Sequence, residues 1–363
     1  MVQAPFWKNR KVLVTGHTGF KGGWLSTWLL GMGARVVGYA LEPDTEPCFF
    51  NLCGLAQKIE SITGDIRHQK RLRTVIAEFK PEIVFHLAAQ SLVRYSYDYP
   101  VDTFAVNVMG TVNLLESVRD NSTVRAVIVV TSDKCYENQE RSWGYKEEER
   151  LGGRDPYSAS KACAEIVTSA YSRSLFTNLT PTVRTATVRS GNVIGGGDWG
   201  RDRLFPDVVR AVQRGNTPAV RNPVSIRPWQ HVLEPLAGYL MLAERLFDGD
   251  QKFVGAWNFG PCDKSPVSVG SLCDMITDAW DHGGWRIVPG NDNYHEAHFL
   301  ALDSSKAENI LGWHPRLTLR EAVTLTADWY KRALSNTASG LMYDVTREQI
   351  RLYMERSAIT QKV

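Results

Sequence analysis

The chain has 363 residues, 43% of them hydrophobic and 22% charged, with a formal net charge of +3. That length buries a sizeable core and fits one large domain or a domain with a smaller companion. So small a net charge gives no reason to expect nucleic acid or an anionic membrane surface as a partner. Six cysteines and eight histidines form no CxxC pair and no metal-ligand spacing, so free thiols in a cytoplasmic protein, and no metal, are the expectation.

The opening "MVQAPFWKNR" has no signal-peptide core. The most apolar stretch, residues 23–41, is broken by Gly31, Gly33 and Arg35 and does not span a bilayer. In chain order, strands are expected at 11–16, 35–41, within 58–66, at 82–89, at 124–132 and within 182–195. Helices are expected at 23–33, 68–80, within 102–121 and at 157–175. This alternation specifies a parallel sheet with helices on both faces, joined by right-handed crossovers. After about residue 193 the pattern loosens into loops, prolines and Trp-rich pieces, then "LGWHP" (311–315) and a C-terminal helix. The fold class expected is α/β, a Rossmann-type doubly wound parallel sheet with a smaller C-terminal α/β substrate lobe. Residues 1–192 form the nucleotide-binding domain, to which a segment around 225–255 returns, and 193–363 form mainly the substrate lobe. Such sheets bind ligands at the carboxyl ends of their strands.

The first strand end reads "VLVTGHTGFKGGWL" (12–25), with Gly16, Gly19 and Gly22 three residues apart. Glycines between a strand and a helix allow a tight turn and let backbone N–H groups approach a pyrophosphate. The plain alternative is a βα turn with no ligand. A second strand end, "TSDKCYEN" (131–138), puts Asp133 and Lys134 side by side after a run of Val and Ile. Asp133 and Lys134 can face one ligand only if the chain has left the strand by Ser132, because side chains alternate along a strand. Otherwise Lys134 is a solvated charge. "DPYSASKACAE" (155–165) then supplies Tyr157 and Lys161 at i and i+4 on one helix face. A tyrosine is a poor base at neutral pH, and a cation one turn away stabilises its phenolate.

The glycine spacing is GxxGxxG, and with the Tyr–Lys pair it resembles the extended short-chain dehydrogenase/reductase family. The resemblance implies NAD as cofactor, bound by Gly16, His17, Gly19, Phe20 and Gly22. It adds Asp65 and Ile66 ("GDI") at the adenine and the "HLAA" strand end with Ala88. Asp65 also fits a loop carboxylate capping the helix at 68–80. Glu42 and Asp44 are candidates for the ribose 2′-hydroxyl, although Ala40 holds the place where the family often has Asp. His17 departs from the small residue usual there, and an imidazole crowding the turn predicts modest NAD affinity. By the same resemblance Lys161 holds the nicotinamide ribose, Tyr157 takes a hydroxyl proton and Ser132 hydrogen-bonds that hydroxyl.

Ser132, Tyr157 and Lys161 account for an oxidation, not for Asp133 and Lys134. In sugar-nucleotide 4,6-dehydratases this strand end carries an acid and a base that remove water from C5–C6 of a 4-keto sugar. The pair here is Asp-Lys where Asp-Glu is commoner, and which of the two is acid and which is base stays open. "RSGNVIGGGDWGRDRLFP" (189–206) offers Asn192, Arg201 and Arg203, and "IRPWQHVLE" (226–234) offers Arg227. The family uses such groups on the sugar-nucleotide diphosphate, while each arginine also fits a solvated surface charge. "TGHTGFKG", "TSDKCYE", "YSASKACAE", "RPWQHVLEPL" and "ALDSSKAENILGWHP" together resemble the branch acting on CDP-glucose, which implies deoxysugar synthesis for bacterial surface polysaccharide such as O-antigen. It also implies a homodimer through a four-helix interface. The alternatives are a nucleotide-sugar 4-epimerase, a dehydratase for GDP-mannose or dTDP-glucose, and a redox-sensing binding protein on the same fold.

Overall fold

The computed structural model describes residues 1–261, 267–289, 299–335 and 341–356. Seven parallel strands form the central sheet: β1 (Lys11–Thr15), β2 (Arg35–Ala40), β3 (Glu60–Thr63), β4 (Ile83–His86), β5 (Ala126–Val130), β6 (Arg184–Ser190) and β7 (Gly255–Phe259). Their order is β3-β2-β1-β4-β5-β6-β7. The order reverses between β1 and β4, which opens a crevice at the carboxyl ends of those strands.

Strands buried on both faces read as continuous apolar runs, and alternation sorts their side chains. Val12 and Val14 of β1 join one core with Ala126 and Ile128 of β5. Leu13, Val127 and Val129 join a second core on the opposite face. The helix after the glycine turn, α1 (Phe20–Gly31), is capped by Gly19 and buries every residue from Gly22 to Leu29. It is apolar all round because it is sandwiched. The sheet lies on one side, and the C-terminal helix Leu341–Glu355 lies on the other, with Trp28 meeting Tyr353 edge-on at 5.7 Å.

The helices expected at 68–80 and 157–175 are Gln69–Phe79 and Pro156–Ala170, the latter followed by a wider turn through Leu175. The helical stretch within 102–121 comprises Pro100–Phe104, a π turn at Ala105–Met109 and Gly110–Arg119. β7 and the sixteen-residue helix Leu233–Asp248 before it were not singled out as elements by the sequence. β7 pairs with β6, and the helix packs on β5 and β6. Outside the central sheet lie the helices Leu204–Gln213, Val269–Ala279 and Leu319–Ser335 and pairs of two-residue strands. Cys48, Cys53, Cys135, Cys163 and Cys273 are free thiols, and Cys262 lies outside the described residues. Among the described residues no helix is long and apolar enough to cross a membrane.

Candidate active site

A cleft of about 1150 Å³ opens between the carboxyl ends of β1, β4, β5 and β6 and residues from 190–208 and 219–229. Gly16, Gly19, Phe20, Gly22, Asp65, Ile66, Ala88, Ser132, Asp133, Lys134, Tyr157, Lys161, Asn192, Arg201, Arg203 and Arg227 all line it.

Two glycines of the turn are fixed by space. Gly16 has φ +76°, and a Cβ there would lie 2.7 Å from the Ala88 nitrogen, while one at Gly22 would lie 2.1 Å from the Gly16 oxygen. At Gly19 the nearest atom is 3.4 Å away, so the backbone is bare toward the cleft where helix α1 begins. That is the cradle a diphosphate requires, and the residues present fit NAD. Asp65 also lines this end. Its carboxylate is held by Arg67 at 2.5 Å, which keeps its pKa below the usual range. It does not cap the helix at 69–79, whose N-terminal His68 lacks a side-chain cap. Glu42 accepts from Thr63 Oγ1 at 2.6 Å and lines the same end.

His17 does not enter the cleft. Its imidazole is fully buried, packs edge-on to Phe50 and occupies the space over Gly38, with Nε2 2.7 Å from Ser61 Oγ. Burial lowers its pKa to about 4, so it is neutral. The crowding expected of this ring is therefore absent, because the turn sends the side chain beneath the sheet edge. Any influence on the cofactor runs through the backbone it supports.

At the next strand end, β5 stops at Val130 and Ser132 caps a 3₁₀ turn, Asp133–Cys135, by accepting the Lys134 N–H at 3.2 Å. This early exit brings Asp133 and Lys134 to the same cleft. Asp133 is 3% exposed; its Oδ1 accepts from Ser132 Oγ at 3.0 Å and its Oδ2 has no partner among the described residues. Burial raises its pKa, against the opposing pull of Lys134, Ser132, Arg227 and Lys21.

The helix carrying Tyr157 starts with Asp155 as N-cap, its Oδ1 accepting the Ser158 N–H at 2.9 Å, and Pro156 in the first turn. Tyr157 and Lys161 are both buried. Burial pushes the phenol up to about 12, against a hydrogen bond with Ser132. The Lys161 ammonium donates to the Val130 carbonyl at 3.2 Å, and burial brings its pKa down to about 8, against Glu165. One turn further, Glu165 and Arg189 form a buried two-pronged ion pair at 2.9 Å that ties this helix to β6.

After β6, Arg203 pairs with Asp198 at 2.8 Å and donates to Ser91 Oγ at 3.0 Å. Arg201 is exposed at the rim, and Arg227 lies near enough to Asp133 to lower its pKa. Lys21, which the sequence reading passed over, also reaches in. Its signal was a lone charge among small and apolar residues of the glycine turn.

A family model described as GDP-mannose 4,6 dehydratase matches residues 13–326. A CDP-glucose 4,6-dehydratase of Salmonella typhimurium is 52% identical over 335 residues, covering 91% of this chain and 93% of that protein. Among solved structures, a UDP-glucose 4-epimerase of Thermotoga maritima with UDP-glucose superposes with TM-score 0.78 at 21% identity, covering 89% of this chain and 99% of that one. A dTDP-glucose 4,6-dehydratase of Streptomyces venezuelae with NAD and TYD bound gives 0.75 at 23%, covering 89% and 97%.

Proposed function

The chain belongs to the family described as GDP-mannose 4,6 dehydratase, and on that premise we propose that it is a hydro-lyase converting CDP-glucose to CDP-4-keto-6-deoxyglucose and water with NAD. The observation that carries the reading is Asp133, a buried carboxyl in the cleft with one oxygen unpartnered. A 4-epimerase needs the Ser132, Tyr157 and Lys161 group alone; an elimination needs an acid as well.

The glycine turn, Asp65, Ile66, Ala88 and Lys161 would hold NAD, whose chemistry when bound is to accept hydride from C4 and give it back at C6. In the ligand-free protein Tyr157 keeps its proton. Lys161, one turn away, stabilises the phenolate formed once that proton has passed to solvent; the phenolate then accepts the C4 hydroxyl proton, and Ser132 orients that hydroxyl. With C4 a ketone, the C5 proton becomes acidic. Asp133, whose pKa burial raises, is placed to give the departing C6 hydroxyl the proton it requires, and Lys134 beside it to take the C5 proton. Asn192, Arg201, Arg203 and Arg227 bind the substrate diphosphate.

Residues 1–192, with a returning segment around 225–255, serve the cofactor, and 193–363 serve mainly the nucleotide sugar. Val101, Met109 and Ile166 are 82%, 52% and 58% exposed on the helical segments that would form a four-helix dimer interface. That apolar patch supports a homodimer. Cytoplasmic deoxysugar supply to surface polysaccharide such as O-antigen completes the reading. Incubation with CDP-, dTDP-, UDP- and GDP-activated sugars, scored for a 4-keto-6-deoxy product, tests it. Product from CDP-glucose is expected, and turnover to a 4-epimer instead overturns it.

A further inference from the structure

Lys21 sits within the glycine turn, between Phe20 and Gly22. Its side chain crosses to the end of β6, where Nζ donates to Ser190 Oγ at 3.0 Å. The buried Tyr239 hydroxyl donates to the same oxygen at 3.1 Å. A serine hydroxyl has two lone pairs and one proton, so only the Ser190 proton is left to give. Among the described residues nothing accepts it, and both Ser190 and Lys21 line the cleft. The unpartnered Asp133 oxygen belongs to the same group of charges, because Lys21 and Asp133 each act on the other's pKa.

Residues 16–22 hold two titratable side chains, His17 and Lys21. His17 is neutral and points away. Backbone N–H groups supply partial charges only, so Lys21 is the full positive charge that this turn brings to an anion. The arginines offered to the sugar nucleotide, Arg201, Arg203 and Arg227, come after β6 in the chain. We propose that Lys21 is a positioning residue for the dinucleotide, adding a full positive charge to the cleft for its diphosphate and committing Ser190 as a hydrogen-bond donor to the bound cofactor. The inference rests on NAD being the cofactor. Burial and Arg203 bring the Lys21 pKa down to about 8, so an anion bound beside it strengthens its charged form.

Calorimetric titration of the intact protein with NAD, and separately with CDP, tests this in the wild type, Lys21→Met, Lys21→Arg and Ser190→Ala. Lys21→Met is expected to weaken NAD roughly ten- to a hundredfold, the range of a charge-assisted contact. Lys21→Arg recovers most of that loss, Ser190→Ala shows a smaller one of roughly fivefold, and CDP affinity falls by less than NAD affinity in each. Thermal melts establish that each variant is folded; should Lys21→Met fail, Lys21→Gln and Ser190→Ala carry the same test. Wild-type NAD affinity in the lysine variant, or an equal loss for CDP, overturns the inference alone. A wild type that binds no NAD overturns the cofactor assignment and this inference with it.

Discussion

Ser132 accepts the backbone N–H of Lys134 at 3.2 Å, capping the turn after β5 that carries Asp133 and Lys134. The same hydroxyl donates to Asp133 at 3.0 Å. Ser132 therefore does two things at once, capping the turn and orienting the carboxyl, and in the proposed reaction it also faces the reacting hydroxyl.

Ser132→Ala is expected to cost about 1 kcal/mol of stability through the lost cap and to lower kcat roughly a hundredfold through lost positioning. Denaturant melts and steady-state kinetics read the two effects separately. Ser132→Thr, which keeps the hydroxyl, should recover most of both. A stability loss with unchanged kcat would reduce Ser132 to a cap.

Gly22→Ala puts a methyl 2.1 Å from the Gly16 oxygen, which the turn cannot absorb by moving a flexible side chain. NAD binding should be lost, with a lower melting temperature. Gly31, in the last turn of α1, has nothing within 4 Å of its Cβ direction. Gly31→Ala should raise stability by about 0.5–1 kcal/mol, measured as a denaturation midpoint.

The strand–helix alternation, the glycine turn, "TSDK" and the Tyr–Lys pair were legible because each carries a local signal, a period or a spacing. β7 was not, because "GAWNF" opens on glycine and holds an asparagine that bonds Tyr136 across the fold. Nothing local distinguishes it from a loop until β6 is there to pair with it. The direction of His17 escaped for a related reason: the space it fills belongs to Gly38 and Phe50, which only the tertiary structure brings near. Lys21 was visible as a residue, but its reach to Ser190, 169 positions away, was not.

His17 makes a pH prediction. Its folded pKa of about 4 lies below the ordinary 6.5, so below pH 6.5 the unfolded chain binds a proton that the folded one refuses. Stability is therefore lost as pH falls from 6.5 toward 4. The share from His17 is about 2 kcal/mol at about pH 5. Buried His86 and His231 act in the same direction, and Glu234, raised to about 7, acts in the opposite one. The difference between wild type and His17→Asn isolates the single group. The variant should lose about 2 kcal/mol less between pH 7 and 5 in urea melts; equal losses would mean the ring is not buried neutral.

Arg227→Ala should raise KM for the nucleotide sugar roughly ten- to a hundredfold, as for a charge-assisted contact of about 1.5–3 kcal/mol. A diphosphate contact persists from ground to transition state, so kcat should change less. Initial-rate kinetics decide this, and an unchanged KM would return Arg227 to the surface.

The central claim is that Asp133 and Lys134 perform the elimination and leave C4 oxidation to Ser132, Tyr157 and Lys161. Rapid mixing of Lys134→Ala, loaded with NAD, with CDP-glucose tests it most directly. Near-ultraviolet absorbance follows the reduced cofactor while product analysis follows the 6-deoxy sugar. The account predicts that reduced cofactor accumulates on the enzyme while little 6-deoxy product forms, and Asp133→Asn should behave alike. Product formed at the wild-type rate by Lys134→Ala would contradict it.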